Sequence, residues 1–350
     1  MGPCAPNKRP IDEQKKIDML ENAVKTVLVT AAGTATAVNI IKRLAQIPGI
    51  RLVTTDSNPR SLIAAPTAWH TTHYQVPLAS DAGYVPRLVE ICELEKVDAL
   101  YPIHDSEILA VVTHRNDFPK RVQLPALTPE SVRNSNDKWL NFGICREAGL
   151  PVPDTFLGSR LQPHELAEAE RLIRKPRSGV GSVGVRQVTR FDELKPDTDL
   201  TEGVVYQTLC SGPEYTVDVL RQDDCLVAVV RERLETKAGV CTKARVFFDP
   251  SIELLARRIS NVFDIHGLFC FQVIGDIERG DVKIIDINPR CGGGTALSVA
   301  AGLPLYEWHF ANILGLERAA EFKEACERRI AQGGEAIVCR HYEEVVTSVQ

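Results

Sequence analysis

The chain has 350 residues, 44% of them apolar and 25% charged, with a net charge of −5. That composition suits a globular protein of two or three domains and gives no support to a nucleic-acid or membrane-surface role. No apolar run approaches the roughly 20 residues that cross a bilayer, and the first 25 residues lack an apolar signal core. Ten cysteines occur without any C-x-x-C pair, so neither a zinc site nor a redox motif is expected. Cys92, Cys145 and Cys270 fall inside apolar patterns and are expected as buried thiols in a reducing cytoplasm.

Residues 1–24 read as a charged arm, with one helix over 11–24. An alternating βα pattern follows over 25–125: strand 26–30, a turn at Gly33, helix 36–46, strand 51–55, helix 85–95, strand end 99–102 and helix 107–114. This spacing predicts a parallel sheet covered on both faces. Asp56, His104 and Asp105 come just after strands, at the edge where such sheets place ligands, although a turn or cap role is the plainer reading of each.

Around residue 125 the texture changes. Pro125 and Pro129 bracket a linker, and Asn136-Asp137 can cap a helix over 138–148, which Gly149, Pro151 and Pro153 stop. A strand at 172–175 meets the glycine loop 178–184, and strands at 204–208, 214–220 and 225–230 follow. Helix 252–263 leads to a hairpin of strands 268–277 and 282–287. Strands in antiparallel succession make this half α+β, with boundaries placed at 126–210 and 211–350.

Gly179-Val180-Gly181-Ser182-Val183-Gly184 satisfies G-x-G-x-x-G, but its context contradicts a dinucleotide site. That fingerprint follows a strand and opens a helix. Here the loop runs into a β-pattern, Val183–Val188, so it joins two strands, as a flap over nucleotide phosphates does. Lys175 stands four residues before Gly179, within reach of such phosphates.

In the hairpin, period-2 geometry puts Asp286 and Asn288 on one strand face, with Gln272 opposite on the partner strand. A solvated polar face is the plain reading of D-x-N alone. One carboxylate and two amide oxygens also suit Mg²⁺ shared with phosphates. Arg290 and the bare backbone of Gly292-Gly293-Gly294 follow beside them, which favours an anionic reaction centre.

Taken in this order, Lys138, Lys175, the glycine loop, Gly212-Pro213-Glu214 and Gln272…Asp286-Ile287-Asn288 resemble the ATP-grasp superfamily over about residues 26–315. The likeness is to carboxylate–amine ligases related to the large chain of carbamoyl phosphate synthetase. It implies an ATP-grasp fold: a βα N-terminal domain, a flap domain and a nucleotide- and metal-holding domain. It implies phosphate contacts from Lys138, Lys175 and the loop residues Ser178, Gly179, Gly181 and Ser182. Tyr206-Gln207-Thr208-Leu209-Cys210-Ser211-Gly212-Pro213-Glu214 resembles the hinge and ribose segment. Gln207, Thr208, Leu209 and Cys210 would then lie by adenine, and Glu214 by ribose. Gln272, Asp286 and Asn288 would hold Mg²⁺, with Mn²⁺ as the second choice. Three departures stand out: Asp286 replaces the more usual glutamate, Gln207 or Thr208 stands at the hinge position often held by glutamate, and Asp276 is a rival acidic ligand.

The expected reaction joins a small carboxylate to an amine, amino acids among the candidates, through an acyl phosphate. Arg290 would hold the transferring phosphate or acyl oxygen. Arg233 is favoured over Arg231, Lys237 and Lys243 in the basic run as a second contact; a solvated charged edge is the plain alternative. Phosphorylation or carboxylation of a small molecule, or a decayed nucleotide-binding regulator, are the rival readings. A homodimer is the candidate assembly. His70, His73, His266, His309 and His341 lack ligand spacing and are read as structural.

Overall fold

The computed structural model describes residues 24–169, 171–179, 183–237 and 239–348. The expected helix at 11–24 therefore lies almost wholly outside the described residues, as do Gly181 and Ser182.

Strands β1 (Lys25–Val29), β2 (Ile50–Asp56), β3 (Thr72–Gln75) and β4 (Ala99–Tyr101) form a parallel sheet in the order β3-β2-β1-β4. Val27, Leu28 and Val29 are all fully buried because helices cover both faces. Val27 and Val29 pack with Ile40, Ile41 and Leu44 of helix Ala35–Leu44, and Leu28 packs with Leu88 and Ile91 of helix Tyr84–Leu94. A continuous apolar strand requires this two-sided cover. At the carboxyl edge Asp56 takes the turn role, accepting from the Gly33 and Asn58 amides at 2.9 Å each. His104 is the N-cap of helix Asp105–Thr113, where Glu107 accepts from its backbone N–H at 2.9 Å. Asp105 does neither, and its partner is described below.

Helices Pro129–Asn136 and Lys138–Glu147 lead into a small antiparallel sheet, ordered β5-β8-β6-β7 from β5 (Thr155–Leu157), β6 (Leu172–Pro176), β7 (Arg186–Val188) and β8 (Val204–Thr208). Asp199 ties β6 to β7 through Arg174 (2.6 Å) and Arg186 (2.8 Å).

The large sheet is antiparallel throughout: β9 (Glu214–Gln222), β10 (Cys225–Lys237), β11 (Val240–Phe247), β12 (Gly267–Asp276), β13 (Asp281–Asn288) and β14 (Ala336–Cys339), ordered β13-β12-β9-β10-β11-β14. Helix Pro250–Phe263 buries Ile252, Ile259 and Phe263 on its outer face. The inner face divides in two. Leu220, Val229 and Leu268 pack against the parallel sheet's layer and helix Leu305–Ile313, while the other half faces the small sheet across a cleft.

The structure adds elements that the sequence reading left unassigned, among them β3, β5, β11, helix Pro129–Asn136 and everything after residue 295. β10 also runs seven residues past its expected end, so the basic run begins on the strand. Among the described residues, no helix is long and apolar enough to cross a membrane.

Candidate active site

The cleft has a volume of about 530 Å³ and lies between the two antiparallel sheets. Gln272 stands opposite Asp286 in the β12–β13 register, as the period-2 reading requires. Asn288 donates through Nδ2 to Asp286 Oδ2 at 2.8 Å, and Lys138 Nζ lies 3.7 Å from Asp286 Oδ1. The register shifts after Gln272, because Val273 pairs with Ile284 and Ile285 is left as the extra residue. A bulge of this kind re-aims backbone groups. Here the Ile285 carbonyl accepts from Lys175 Nζ at 3.3 Å.

Lys175 also donates to Gln207 Oε1 at 2.6 Å, and Gln207 in turn donates to Thr155 Oγ1 at 3.1 Å. Burial lowers the Lys175 pKa; the neighbouring Asp286 carboxylate opposes that shift and the Lys138 ammonium adds to it. Two ammonium groups therefore converge on one carboxylate, an arrangement poised to take additional negative charge. Helix Lys138–Glu147 is fixed for this by Asp137, which accepts from the Trp139 and Leu140 amides and pairs with Arg177 just after β6 at 2.8 Å.

The glycine loop joins β6 to β7, which pair antiparallel from Leu172↔Val188 to Arg174↔Arg186. The strand–loop–strand geometry rules out a helix-opening dinucleotide fingerprint at this position. Gly184 adopts φ +76° with a Cβ position only 3.1 Å from the Pro176 ring, so glycine is required to close this hairpin. Gly179, Val183 and Val185 line the cleft, whereas Ser178 is exposed outside it. Val183 is 79% exposed, an apolar side chain free to cover a ligand.

Thr208, Leu209 and Cys210 line the same cleft, as does Glu214. Glu214 forms an ion pair with Arg233, whose Nη2 also donates to the Gly239 carbonyl at 2.9 Å. Arg233 Nε is buried with no hydrogen-bond partner among the described residues. Asp276, the rival ligand, sits at the hairpin turn with Arg279, away from the cleft lining. Lys237 and Lys243 are exposed around Glu235, the solvated edge that was the plain alternative for them.

Arg290 is the residue whose setting the sequence foretold least. It forms a two-pronged pair with Asp105, Nε to Oδ1 at 2.8 Å and Nη2 to Oδ2 at 3.0 Å, while Nη1 donates to the Cys291 carbonyl at 3.3 Å. Burial works against its charge, but Asp105 more than offsets that and holds the guanidinium pKa above its usual value. A second buried arginine lies beneath the glycine run. Arg231 pairs with Asp218, whose oxygens also accept from Thr295 at 2.7 Å and Ser298 at 2.6 Å. A Cβ on Gly294 would fall 2.4 Å from Arg231 Nη1, which explains a glycine there. Arg340, near the C-terminus, donates to the Gly293 carbonyl. The G-G-G-T run was the available signal for this layer, but the partners arrive from 47 or more residues away.

Among the described residues no three His, Cys, Asp or Glu side chains cluster as a metal cage. The oxygen set is one carboxylate and two amides. Such hard donors fit Mg²⁺ held jointly with phosphates and water rather than by protein alone.

Two families match the sequence. "PylC-like, N-terminal domain" matches residues 27–124, and "ATP-grasp in the biosynthetic pathway with Ter operon" matches residues 201–333. The carbamoyl phosphate synthase large chain of Helicobacter pylori is 23% identical over 287 residues, taking in 73% of this chain and 26% of that one. The chain thus spans about a quarter of the length of the curated relatives it matches. The L-amino acid ligase of Bacillus licheniformis superposes with TM-score 0.66 at 15% identity, covering 85% of this chain and 76% of that one. The N5-carboxyaminoimidazole synthetase of Staphylococcus aureus, solved with ADP, gives 0.66 at 15% identity, covering 84% and 79%. With a parallel N-terminal sheet followed by two antiparallel sheets enclosing a lysine-lined cleft, the chain belongs to the ATP-grasp superfamily.

Proposed function

We propose that this protein is an ATP-dependent carboxylate–amine ligase. The observation that carries the reading is Arg290, a guanidinium already gripping a carboxylate side by side at the end of the cleft where Asp286, Asn288, Lys138 and Lys175 meet. A planar fork of this kind recognises carboxylate and phosphoryl oxygens alike.

In this reading residues 25–125, 126–210 and 211–350 act as N-terminal, flap and nucleotide-holding domains. Lys138, Lys175 and the glycine loop bind the ATP phosphates, the backbone at Leu209 and Cys210 lies by adenine, and Glu214 exchanges Arg233 for ribose hydroxyls. Gln272, Asp286 and Asn288 hold Mg²⁺, which when bound would neutralise phosphate charge. An oxygen of the acid attacks the γ-phosphorus while the bond to ADP breaks, giving an acyl phosphate. The amine nitrogen then attacks the acyl carbon, phosphate leaves with that oxygen, and the nitrogen loses a proton. The flap excludes water that would hydrolyse the acyl phosphate. Substrates are small molecules, and the setting is the cytoplasm.

Trapping decides the matter. Carboxylates incubated with the protein, ATP·Mg²⁺ and hydroxylamine should yield hydroxamates and ADP. Carboxyl ¹⁸O should appear in inorganic phosphate when an amine substrate is added. A stable phosphorylated product formed without amine would make it a kinase, and turnover requiring bicarbonate would make it a carboxylase. Failure to bind ATP while binding NAD(P) in calorimetry would remove the nucleotide assignment altogether.

A further inference from the structure

A second cavity, of about 230 Å³, lies against the cleft, and Arg290 is the one lining residue the two share among those described. Its origin is topological. β13 ends at Asn288, opposite Cys270, so Gly267–Phe269 of β12 have a neighbouring strand on the β9 side alone. The space past the end of β13 is walled by Tyr101, Ile108 and Leu124 of the N-terminal layer and by Ile313 of helix Leu305–Ile313.

The walls are largely apolar, but the chamber carries hydrogen-bonding groups at two places. Inside is His309, 8% exposed, with its ring over the backbone of Gly267, where φ is +79° and a Cβ would fall 3.0 Å from the ring. Gln222 Nε2 donates to the His309 carbonyl at 3.2 Å and lies 3.3 Å from Nδ1, so Nδ1 accepts and the ring proton sits on Nε2. Burial lowers the ring pKa to about 4, which leaves His309 a neutral donor at physiological pH. At the rim are Arg221 and Asp223. Arg221 bonds Ser260 Oγ at 2.8 Å and has no carboxylate partner among the described residues.

The Asp105 contact shows how a carboxylate meets Arg290 from this side. Asp105 and Ile108 are three residues apart on one helix, hence on one face, and Ile108 lines the chamber. We propose that the chamber holds the body of the acid substrate, a small carboxylic acid with an apolar tail, whose carboxylate displaces Asp105 from Arg290. The tail then lies along Leu124, Leu268 and Ile313, an acceptor atom on it meets His309 Nε2–H, and the carboxylate points through Arg290 into the nucleotide cleft. This assignment rests on the ligase reading for what becomes of the acid, but not for whether it binds.

Calorimetry in the presence of Mg·ADP separates the two. 3-Phenylpropanoate should bind about tenfold or more tightly than acetate, because its tail leaves water for an apolar wall. Ile313→Trp fills the chamber and should erase that preference while ADP affinity stays unchanged. Leu124→Phe, at a second lining residue on a different element, repeats the test if the tryptophan variant fails to fold. Equal affinity for the two acids in the wild type, or a preference that survives both substitutions, overturns the assignment. If the preference is present but ATP and hydroxylamine give no hydroxamate from either acid, the chamber stands and the ligase reading falls. Hydroxamate formed equally well from acetate and 3-phenylpropanoate leaves the ligase and removes the chamber.

Discussion

Arg231 and Arg233 lie two residues apart on the same face of β10, yet they occupy different physical worlds. Arg231 is 2% exposed and locked to Asp218, which is itself satisfied by Thr295 and Ser298. Arg233, 10% exposed, lines the cleft, paired with a half-exposed Glu214 and with one nitrogen unpartnered among the described residues. The first arginine supports the glycine run from beneath. The second has an incomplete hydrogen-bond set among the described residues and faces the cleft. Burial and the completeness of the hydrogen-bond set, not residue type, separate a strut from a contact.

The contrast breaks most visibly at Asp218. Asp218→Ala leaves the Arg231 guanidinium buried without its counter-charge, and such a loss costs about 3–5 kcal/mol. Urea unfolding should show it, and a change below about 1 kcal/mol would mean that Arg231 is no strut. Next is Asp286, the carboxylate beside Lys138 and Lys175. Asp286→Ala should slow ATP-dependent turnover about a hundredfold or more, on the order of 3 kcal/mol, with the unfolding curve little altered. ADP release at the wild-type rate from the folded variant would remove the metal assignment.

A buried titratable group sharpens the comparison through pH. His309 has its pKa lowered from 6.5 to about 4, so below pH 6.5 the unfolded chain binds a proton that the folded chain refuses. Its cost to stability is absent above about pH 6.5, grows as pH falls, and levels off below about 4, reaching roughly 3 kcal/mol. In His309→Gln that part of the acid slope should vanish. Parallel wild-type and variant stability profiles between pH 6.5 and 4 would contradict it. The smallest stability effect belongs to Arg233→Met. Its partner Glu214 is 36% exposed and stays solvated when the pair is broken, which limits the loss to about 1 kcal/mol, so unfolding should barely move while ATP affinity falls several-fold by calorimetry. A stability loss comparable to that of Asp218→Ala would erase the distinction between the two arginines.

Much of the site was legible before any coordinates because its chemistry is local. Asp286 and Asn288 share a face by strand periodicity alone, and Gln272 falls opposite them once the turn at Glu278–Asp281 is read. The glycine loop was separable from a dinucleotide fingerprint by the β-pattern that follows it. Asp105 was placed at the right edge of the sheet but weighed as a turn or cap residue, because its partner Arg290 is 185 residues away. Arg233 was favoured over Arg231 on the resemblance alone: alternation gives both the same face, and depth within the sheet is not written in the strand.

Sequence by itself determined the parallel and antiparallel halves, most of the elements before residue 295, and the facing of Gln272 with Asp286 and Asn288, since each follows from periodicity and turn chemistry within a few dozen residues, while Lys138, the hinge and Glu214 were implied by the resemblance alone. Tertiary structure alone decided which charges are satisfied internally and which are free, and it alone made the chamber behind Arg290. Both depend on where β13 stops relative to β12 and on which side chains from the N-terminal layer, the linker and helix Leu305–Ile313 close the gap. Long-range packing of that kind is set by the sum of many weak contacts, and no local pattern encodes it.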